Sequence, residues 1–306
     1  MRVAVAGATG VIGQCLMPLL SQAGHEVTGL SREQGTDLLD REAVARVVGQ
    51  AGADAVVHLA TAIPAQVSPK TLARDYALTN RLRTEGTANL INAAQVAGAT
   101  RIIVQGLAYA YQPASGLADE DAPLWHNPPS QFAPVLAALI ELERLTAQAG
   151  GLVLRFGHLY GPGSIYAADG SFTAQVRAGK VPVAGQGGSV FSFTHARDAA
   201  AAIAAAIEHP VTGVLNVADD NPVPIGDWLP AFAAMLGARP PRHVPAFMAR
   251  LAAGSWGAAF MTQLRGASNA RARRQLSWLP RYPSWSDGFN AELSANAAAS
   301  RVIQGS

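Results

Sequence analysis

The sequence predicts an α/β fold in which helices cover both faces of a doubly wound parallel sheet. Three observations support this prediction. Short apolar segments alternate with helical patterns through the first half of the chain, and a glycine-rich turn separates the first apolar segment from the first helix. The chain also has 306 residues, of which 49% are hydrophobic and 14% are charged, which is enough for a large buried core in one or two domains.

The first half of the chain has the pattern of successive βαβ units. We predict strands at residues 2–6, 26–30, 55–60, 101–105 and 152–156, and helices at residues 11–22, 41–50, 72–97 and 134–149. Each short apolar strand is separated from the next by a helical segment. This alternation is typical of parallel strands that are joined by helical crossovers.

The composition changes after Gly157. Residues 160–188 are rich in glycine, a helix at 196–209 and a strand at 214–218 follow, and the chain from Asn221 onward is rich in proline and tryptophan. We therefore expect two parts that are partly interleaved. The core domain would comprise residues 1–160 with about 190–218, and a smaller lobe would comprise about 161–189 and 219–306.

Charge and cysteine content exclude several classes of protein. The formal net charge of +2 is spread along the chain, which argues against nucleic acid or anionic lipid as a partner. The single cysteine, Cys15, excludes a disulfide framework and a cysteine-based zinc site, so we expect no metal and a reducing compartment. The longest apolar runs, residues 132–140 and 199–207, are too short to span a membrane. These features favour a cytoplasmic protein.

The turn Gly7-Ala8-Thr9-Gly10-Val11-Ile12-Gly13 lies directly between the first strand and the first helix. Gly7 would permit the tight turn, Gly10 would let a pyrophosphate approach the backbone, and Gly13 would let the helix pack closely. The helix N-terminus offers free N–H donors and the positive end of its dipole. The turn, with Thr9, Val11 and Ile12 between its glycines, therefore predicts a dinucleotide-binding site, although its GxxGxxG spacing differs from GxGxxG.

The end of the second strand bears on which dinucleotide binds. A carboxylate there would bind the ribose hydroxyls of NAD, whereas an arginine accommodates the 2′-phosphate of NADP. The strand ends in Leu30-Ser31-Arg32, and the first acid is Glu33. Ser31 and Arg32 together favour NADP(H) over NAD(H). The alternative is that Arg32 is simply a solvated surface residue.

Several motifs in order along the chain carry a resemblance to a known family. They are the turn at residues 7–13, Asp37-Leu38, His58-Leu59-Ala60, Gly86-Thr87, Leu154-Arg155, Tyr160-Gly161-Pro162-Gly163, Phe193-Thr194-His195-Ala196-Arg197-Asp198 and the segment 269–276. Over nearly its whole length the chain resembles the extended short-chain dehydrogenases/reductases of the NAD-dependent epimerase/dehydratase family. The resemblance implies a Rossmann-type core and a C-terminal substrate lobe, and extended members are often homodimers.

The resemblance also implies roles for individual residues. Asp37 and Leu38 would flank the adenine, and Leu59, Ala60 and Thr61 would line the path of the ribose and phosphates. Gly157 and His158 would face the nicotinamide and substrate, and Gln105 would contact the cofactor from the end of its strand. His58 is more simply interpreted as a strand-end histidine that is satisfied by backbone groups, and His195 as a residue that connects the two lobes.

The catalytic residues of the resembled family are missing. Its members use a Tyr-x-x-x-Lys pair and a serine or threonine at the end of the strand that corresponds to 101–105. Here Gly106, or Leu107 in a shifted register, takes the serine position, and Val135 and Leu139 take the positions of tyrosine and lysine. The chain has only two lysines, Lys70 and Lys180, and neither has a tyrosine four residues before it. Arg83 also replaces an asparagine that usually stands three residues before Gly-Thr.

Any catalysis must therefore use other residues. Tyr109 and Tyr111 follow the strand 101–105, where ligands of doubly wound folds bind, and His158 has the side chain whose ordinary pKa best suits proton transfer. Each of the three could instead be a packing residue.

Three functions remain open from the sequence. The first is an NADP(H)-dependent reductase or dehydrogenase of secondary metabolism with a non-standard proton donor. Its substrate would be a hydrophobic small molecule, as the aromatic, weakly charged second lobe suggests. The second is a non-redox cyclase, lyase or isomerase on the same scaffold, and the third is a dinucleotide sensor without catalysis.

Overall fold

The computed structural model describes residues 1–64 and 66–304, and the side chains up to residue 296. Its strands are β1 (Arg2–Ala6), β2 (Glu26–Leu30), β3 (Ala55–His58), β4 (Arg101–Leu107), β5 (Leu152–Phe156), β6 (His158–Tyr160), β7 (Val183–Ala184), β8 (Val190–Phe191), β9 (Phe193–His195), β10 (Gly213–Val217), β11 (Val223–Pro224) and β12 (His243–Val244). Its helices are α1 (Gly13–Gln22), α2 (Arg41–Ala51), α3 (Leu72–Asp75), α4 (Ala77–Arg81), α5 (Thr87–Val96), α6 (Ala133–Gln148), α7 (Ser171–Arg177), α8 (Ala196–Glu208), α9 (Ile225–Met235), α10 (Ala246–Thr262), α11 (Ala270–Gln275) and α12 (Trp285–Gln304).

Six strands form a parallel sheet in the order β2-β1-β3-β4-β5-β10. Successive residues of each strand point to opposite faces. Val3 and Val5 of β1 pack with α1 and α8 on one face, whereas Ala4 and Ala6 pack with α2 and α5 on the other. The predicted α/β fold with a doubly wound parallel sheet is therefore confirmed.

The order of the strands reverses at β1. The chain runs from β1 to β2 on one side and then crosses to β3 on the other side. At such a point the loops that leave the carboxyl ends of the strands diverge and open a crevice, which is the usual ligand site of this architecture. The turn after β1 and the residues after β3 border this crevice.

Short two-stranded sheets extend the fold beyond the carboxyl ends of the main strands. They pair β6 with β9, β7 with β12 and β8 with β11. Around them lies a large apolar cluster that draws on both halves of the chain and includes Phe132, Tyr160, Phe193 and Trp228. The division into a core domain and an interleaved lobe stays a prediction. Among the described residues, no helix is long and apolar enough to cross a membrane, and no three side chains of His, Cys, Asp or Glu are grouped to hold a metal.

The predicted long helical stretch over residues 72–97 is helical over nearly all of its length but is not one regular helix. The segment divides into α3, α4, a π-helical stretch at Leu82–Gly86, and α5. In this stretch the Thr87 N–H donates to the Leu82 carbonyl oxygen, five residues back, which widens the helix locally. The apolar periodicity of the segment could not reveal this widening, which leaves Arg83 buried.

Candidate active site

The glycine-rich turn has the geometry of a phosphate cradle. Gly7 has φ +84°, and a Cβ there would lie 2.7 Å from the Ala60 nitrogen. A Cβ on Gly13 would lie 2.3 Å from the Gly7 carbonyl oxygen, so α1 begins directly against the turn. Thr9 and Gly10 are exposed in front of the first N–H groups of the helix. The turn therefore fits a dinucleotide pyrophosphate, with Val11 half-buried and Ile12 buried behind it.

The end of β2 presents a free guanidinium. Arg32 is exposed, and among the described residues its side chain has no hydrogen-bond or ion-pair partner. The Ser31 hydroxyl caps the short 3-10 turn that follows by accepting a hydrogen bond from the Gln34 N–H at 3.3 Å. Asp37 is exposed, and Leu38 is buried behind it. This arrangement can receive a 2′-phosphate, but the preference for NADP(H) stays a prediction.

His58, at the end of β3, has a structural role. Its Nε2–H donates to the Leu82 carbonyl oxygen at 3.0 Å, and its Nδ1 accepts from the Ala60 N–H at 3.2 Å. Burial lowers the pKa of His58 to about 4, so the ring is neutral at pH 7. The interpretation of His58 as a strand-end residue satisfied by backbone groups is confirmed.

A narrow cleft opens beyond the ends of β3 and β4. It is lined by His58, Leu59, Ala60, Thr61, Arg83, Gln105 and Leu142. Four of these residues were assigned to the cofactor from the sequence, namely Leu59, Ala60, Thr61 and Gln105, and the structure brings them together. Arg83 was not assigned to the site. The only sequence signal for it was its place where the resembled family has asparagine.

Arg83 is a buried cation that pairs with no carboxylate of the described residues. Its side chain is 4% exposed, and Nη1 lies 3.5 Å from the Asn80 Oδ1, at the limit of a hydrogen bond. The guanidinium carbon lies 5.9 Å from the centroid of the Tyr76 ring, and Tyr76 and Tyr109 both interact with its charge. Burial lowers the pKa of Arg83 from its usual value, although arginine stays charged at physiological pH.

Tyr109 and His158 meet beyond the ends of β4 and β5. Their rings stack with centroids 4.5 Å apart, and Phe191 stacks on the other face of His158 at 3.9 Å. Phe260 and Tyr166 meet the imidazole edge-on. The next residue back, Gly157, donates its N–H to the Thr194 hydroxyl at 2.8 Å, and a Cβ on it would lie 2.3 Å from the Ser192 carbonyl oxygen. The backbone at Gly157 therefore packs closely against the segment 192–194, at the point where β5 ends and the aromatic stack begins.

His158 is neutral in this stack. Its side chain is buried, its Nε2 has no hydrogen-bond partner among the described residues, and burial lowers its pKa to about 3. The ordinary histidine pKa, which made His158 a candidate acid or base, therefore does not hold at this position. Burial likewise raises the pKa of Tyr109, so the phenol stays protonated at neutral pH.

Tyr111 lies in a different environment. Its hydroxyl donates to Asn216 Oδ1 at 2.6 Å and accepts from Arg155 Nη1 at 2.8 Å. Arg155 forms two further hydrogen bonds of 2.7 Å with the Glu143 carboxylate. The structure therefore brings two of the three candidate catalytic residues together and places the hydroxyl of the third in a buried polar network.

Apolar residues occupy the positions that correspond to the missing catalytic groups. Val135 and Leu139 of α6 are each 1% exposed and pack in the same cluster as Leu107. A Cβ on Gly106 would lie 2.8 Å from a Val153 methyl group, so a serine there requires the Val153 side chain to shift. His195 caps α8 and pairs with Glu292 of α12 at 2.9 Å, so it connects two elements, while its place between two lobes stays a prediction.

Comparisons with known proteins agree with this architecture. A family model described as the NAD dependent epimerase/dehydratase family matches residues 3–218. A Streptomyces sp protein named 3-diazoavenalumate denitrifying reductase is 46% identical over 311 residues, which cover 95% of this chain and 100% of that protein.

Solved structures match over most of the chain. The human epimerase family protein SDR39U1 (isoform 2) with NADPH has a TM-score of 0.75 and 25% identity, and the match covers 94% of this chain and 98% of that one. The UDP-glucose 4-epimerase of Thermus thermophilus in complex with NAD has a TM-score of 0.72 and 24% identity, over 94% and 96% of the two chains.

These similarities decide several of the predictions. The prediction of an enzyme of the short-chain dehydrogenase/reductase type is confirmed by the reductase at 46% identity. Of these two solved structures, the human protein contains NADPH and the Thermus enzyme contains NAD, so the cofactor preference of this chain stays a prediction. Because the family model covers residues 3–218 and the Streptomyces relative matches nearly end to end, this chain belongs to the NAD-dependent epimerase/dehydratase family.

Proposed function

We propose that this protein is an NADP(H)-dependent reductase that acts on a hydrophobic, diazo-bearing small molecule of secondary metabolism. One observation carries the proposal. The place where the substrate would meet the nicotinamide is walled by neutral aromatic side chains, and no Tyr-x-x-x-Lys pair occurs anywhere in the 306 residues. A reaction that needs no strong acid from the enzyme suits such a site.

The residues present fit the cofactor. The turn from Gly7 to Gly13 supplies a cradle in which added side chains would collide with backbone, and the exposed Arg32 suits a 2′-phosphate. When bound, the reduced dinucleotide would supply a hydride to the carbon that carries a diazonium group and would itself be oxidised. The hydride would replace the nitrogen on that carbon, and dinitrogen would leave with the electrons of the broken carbon–nitrogen bond.

The name of the Streptomyces relative supplies the substrate class. That protein is named for the reductive removal of nitrogen from a diazo compound. In this chemistry the leaving group is neutral dinitrogen, and the hydrogen that replaces it is the hydride itself. When the substrate reacts as an aryl diazonium ion, the net step therefore consumes no proton from the protein, whereas reduction of a neutral diazo carbon or of a carbonyl group requires one. The proposal explains why residues such as Val135 and Leu139 can occupy the relay positions without loss of function.

The chain's own residues would bind and orient the substrate. Tyr109, the half-buried outer ring of the stack over His158 and Phe191, offers a flat face to an aromatic substrate, and the buried rings behind it exclude water. The Tyr109 hydroxyl, which stays protonated, can donate a hydrogen bond to a substrate oxygen. It is also the non-standard proton donor if the protein reduces carbonyl compounds.

Isotope transfer tests this function. The purified protein is mixed with benzenediazonium and NADPH that carries deuterium at either C4 position, and the benzene and dinitrogen formed are analysed by mass spectrometry. We expect deuterium in the benzene from one of the two labelled cofactors and none from heavy water. A heat-denatured sample controls for spontaneous reduction.

Two results would contradict the proposal. One is benzene formation no faster than in the denatured sample. The other is oxidation of NADPH by cinnamaldehyde but not by benzenediazonium, which would favour a carbonyl reductase with Tyr109 as donor. Replacement of NADPH by NADH tests the cofactor preference, and we expect weaker binding of NADH because Arg32 then has no phosphate to pair with.

A further inference from the structure

We propose that Arg83 binds the carboxylate of an aromatic acid substrate and so sets the direction in which the substrate enters the cleft. This inference rests on the proposed reductase function and adds the substrate's second functional group. It starts from a buried guanidinium that borders the cleft at the ends of β3 and β4 and has no anionic partner among the described residues.

The π-helical stretch is what places Arg83 at the cleft. The stretch interrupts the regular helix between α4 and α5, and the Leu82 carbonyl oxygen, which accepts the Thr87 N–H, also accepts the His58 hydrogen bond. Arg81, two residues earlier, points to the surface and pairs with Glu85 at 2.8 Å. Arg83, in contrast, lies between the cleft and the tyrosine rings.

A buried, unpaired cation is costly. Removal of a charge from water costs several kcal/mol in a protein unless an opposite charge or several hydrogen bonds replace the water. Arg83 has five N–H donors, and its one hydrogen bond to a described residue is the 3.5 Å contact with Asn80. The Tyr76 ring at 5.9 Å provides a further weak interaction. The remaining donors suit a planar oxyanion that arrives with the ligand.

The phosphates of the dinucleotide have other hosts. The pyrophosphate fits the turn at the start of α1, and the 2′-phosphate fits Arg32 at the end of β2. Arg83 borders the cleft beyond β3 and β4, and its charge also interacts with Tyr109, the ring that stacks on His158. The anion that remains to be bound is therefore one carried by the substrate.

The aromatic surroundings suggest the shape of this substrate. Tyr76 and Tyr109 both lie near enough to interact with the Arg83 charge, and neither hydroxyl forms a hydrogen bond with a described residue. Tyr109 is the half-buried outer ring of the stack and covers His158, so the flat wall is the outer face of Tyr109. A ring stacked along this wall can direct a carboxylate to the guanidinium while the phenol groups donate to its oxygens. The fitting chemical class is an aromatic or conjugated carboxylate.

Equilibrium binding tests the assignment without turnover. Protein saturated with NADP⁺ is titrated by calorimetry with cinnamate and with its neutral analogue, cinnamamide. We expect the native protein to prefer cinnamate, and Arg83→Gln to weaken cinnamate binding by about 10- to 100-fold while cinnamamide binding stays unchanged. Arg81→Gln is the matched control on the same segment and should bind both compounds as the native protein does.

Several outcomes would overturn the assignment. The first is that the native protein does not bind cinnamate more tightly than cinnamamide. The second is that native and Arg83→Gln proteins bind cinnamate equally well. The third is that Arg83→Gln weakens the binding of NADP⁺ but not that of cinnamate. If Arg83→Gln does not fold, Arg83→Lys decides the matter. A single ammonium cannot match both carboxylate oxygens, so cinnamate binding should fall several-fold, and an unchanged affinity would contradict the proposal.

The proposed reductase function can be judged separately. Benzenediazonium has no carboxylate, so its reduction by the native protein does not depend on Arg83 binding an anion. If benzene forms while cinnamate binding is indifferent to Arg83→Gln, the carboxylate assignment fails and the reductase stands. If cinnamate binds as expected but no labelled benzene forms, the carboxylate assignment stands and the proposed reduction of diazonium compounds fails.

Discussion

Substitution of Glu143 by glutamine would test whether the Tyr111 hydroxyl belongs to a structural network. Glu143 accepts two hydrogen bonds of 2.7 Å from Arg155, and the two side chains are 15% and 5% exposed. Arg155 in turn donates to Tyr111. The pair therefore neutralises a guanidinium that is buried in the sheet, and Glu143→Gln removes the negative charge while nearly preserving the shape.

The expected effect follows from the burial of Arg155. When one partner of a buried ion pair is removed, the remaining charge is left uncompensated, which typically costs about 3–5 kcal/mol in the free energy of unfolding. The amide of glutamine still offers one acceptor, so we expect a loss near the lower end of this range. The bond between Arg155 and the Tyr111 hydroxyl should persist, because the guanidinium stays charged.

Urea unfolding, followed by far-UV circular dichroism, measures the change. The matched control is Glu141→Gln, two residues earlier on α6, where Glu141 pairs with Arg144 at 2.6 Å but both side chains are well exposed. Exposed pairs contribute little, so the control should unfold at the same urea concentration as the native protein. Equal stability of the two variants would refute the reasoning, because it would show that the Glu143 charge does not stabilise the buried Arg155.

Three further predictions concern the cofactor turn and the aromatic stack. Gly13→Ala should weaken NADPH binding by about tenfold or more in a fluorescence titration, because its Cβ would overlap the Gly7 carbonyl oxygen. Gly49→Ala, in the last turn of α2, should bind NADPH normally, because a Cβ there meets no atom within 4 Å. Tyr109→Phe should keep the stack and the fold. If the native protein reduces carbonyl compounds, this substitution should lower the rate by about 100-fold or more in an NADPH absorbance assay, and equal rates would exclude Tyr109 as the proton donor. The pKa of His158 is about 3 in the folded protein and about 6.5 in the unfolded chain. The unfolded chain therefore takes up the proton first, and the free energy of unfolding falls as the pH drops below about 6.5. In urea unfolding between pH 6 and 4, His158→Phe should reduce this loss by about 1.4 kcal/mol per pH unit, and the exposed control His126→Phe should not change it.

The strands and the glycine turn could be predicted from the sequence because their signals are local. β2 and β5 begin and end at the predicted residues, and the main sheet follows the predicted alternation. The π-helical stretch gave no such signal. An apolar pattern over 72–97 is the same whether or not one turn is widened, and only tertiary packing against β3 decides which turn widens.

The candidate site was harder to predict than the fold. Tyr109 and Tyr111 stand two residues apart at the end of β4, and sequence position alone cannot tell which ring borders the substrate path. In the structure the hydroxyl of Tyr111 forms hydrogen bonds with Arg155 and Asn216, both of which lie far from Tyr111 in the sequence. The low pKa of His158 was equally hidden, because the rings that desolvate it come from β8 and α10 as well as β4.

The electrostatics of the cleft are consistent with a substrate that is cationic at its reacting end. In the resembled family a lysine of the helix that corresponds to α6 brings a positive charge near the nicotinamide, which stabilises an oxygen that gains negative charge. A lysine about 4 Å from a diazonium group would instead repel it by about 4 kcal/mol at an effective dielectric constant of about 20. Here Leu139 and a neutral His158 leave the reacting end uncharged, while Arg83 lies near the other end of the stack. Leu139→Lys should accordingly weaken the binding of benzenediazonium but not of neutral cinnamamide, and an equal effect on both would show that charge at this position is immaterial.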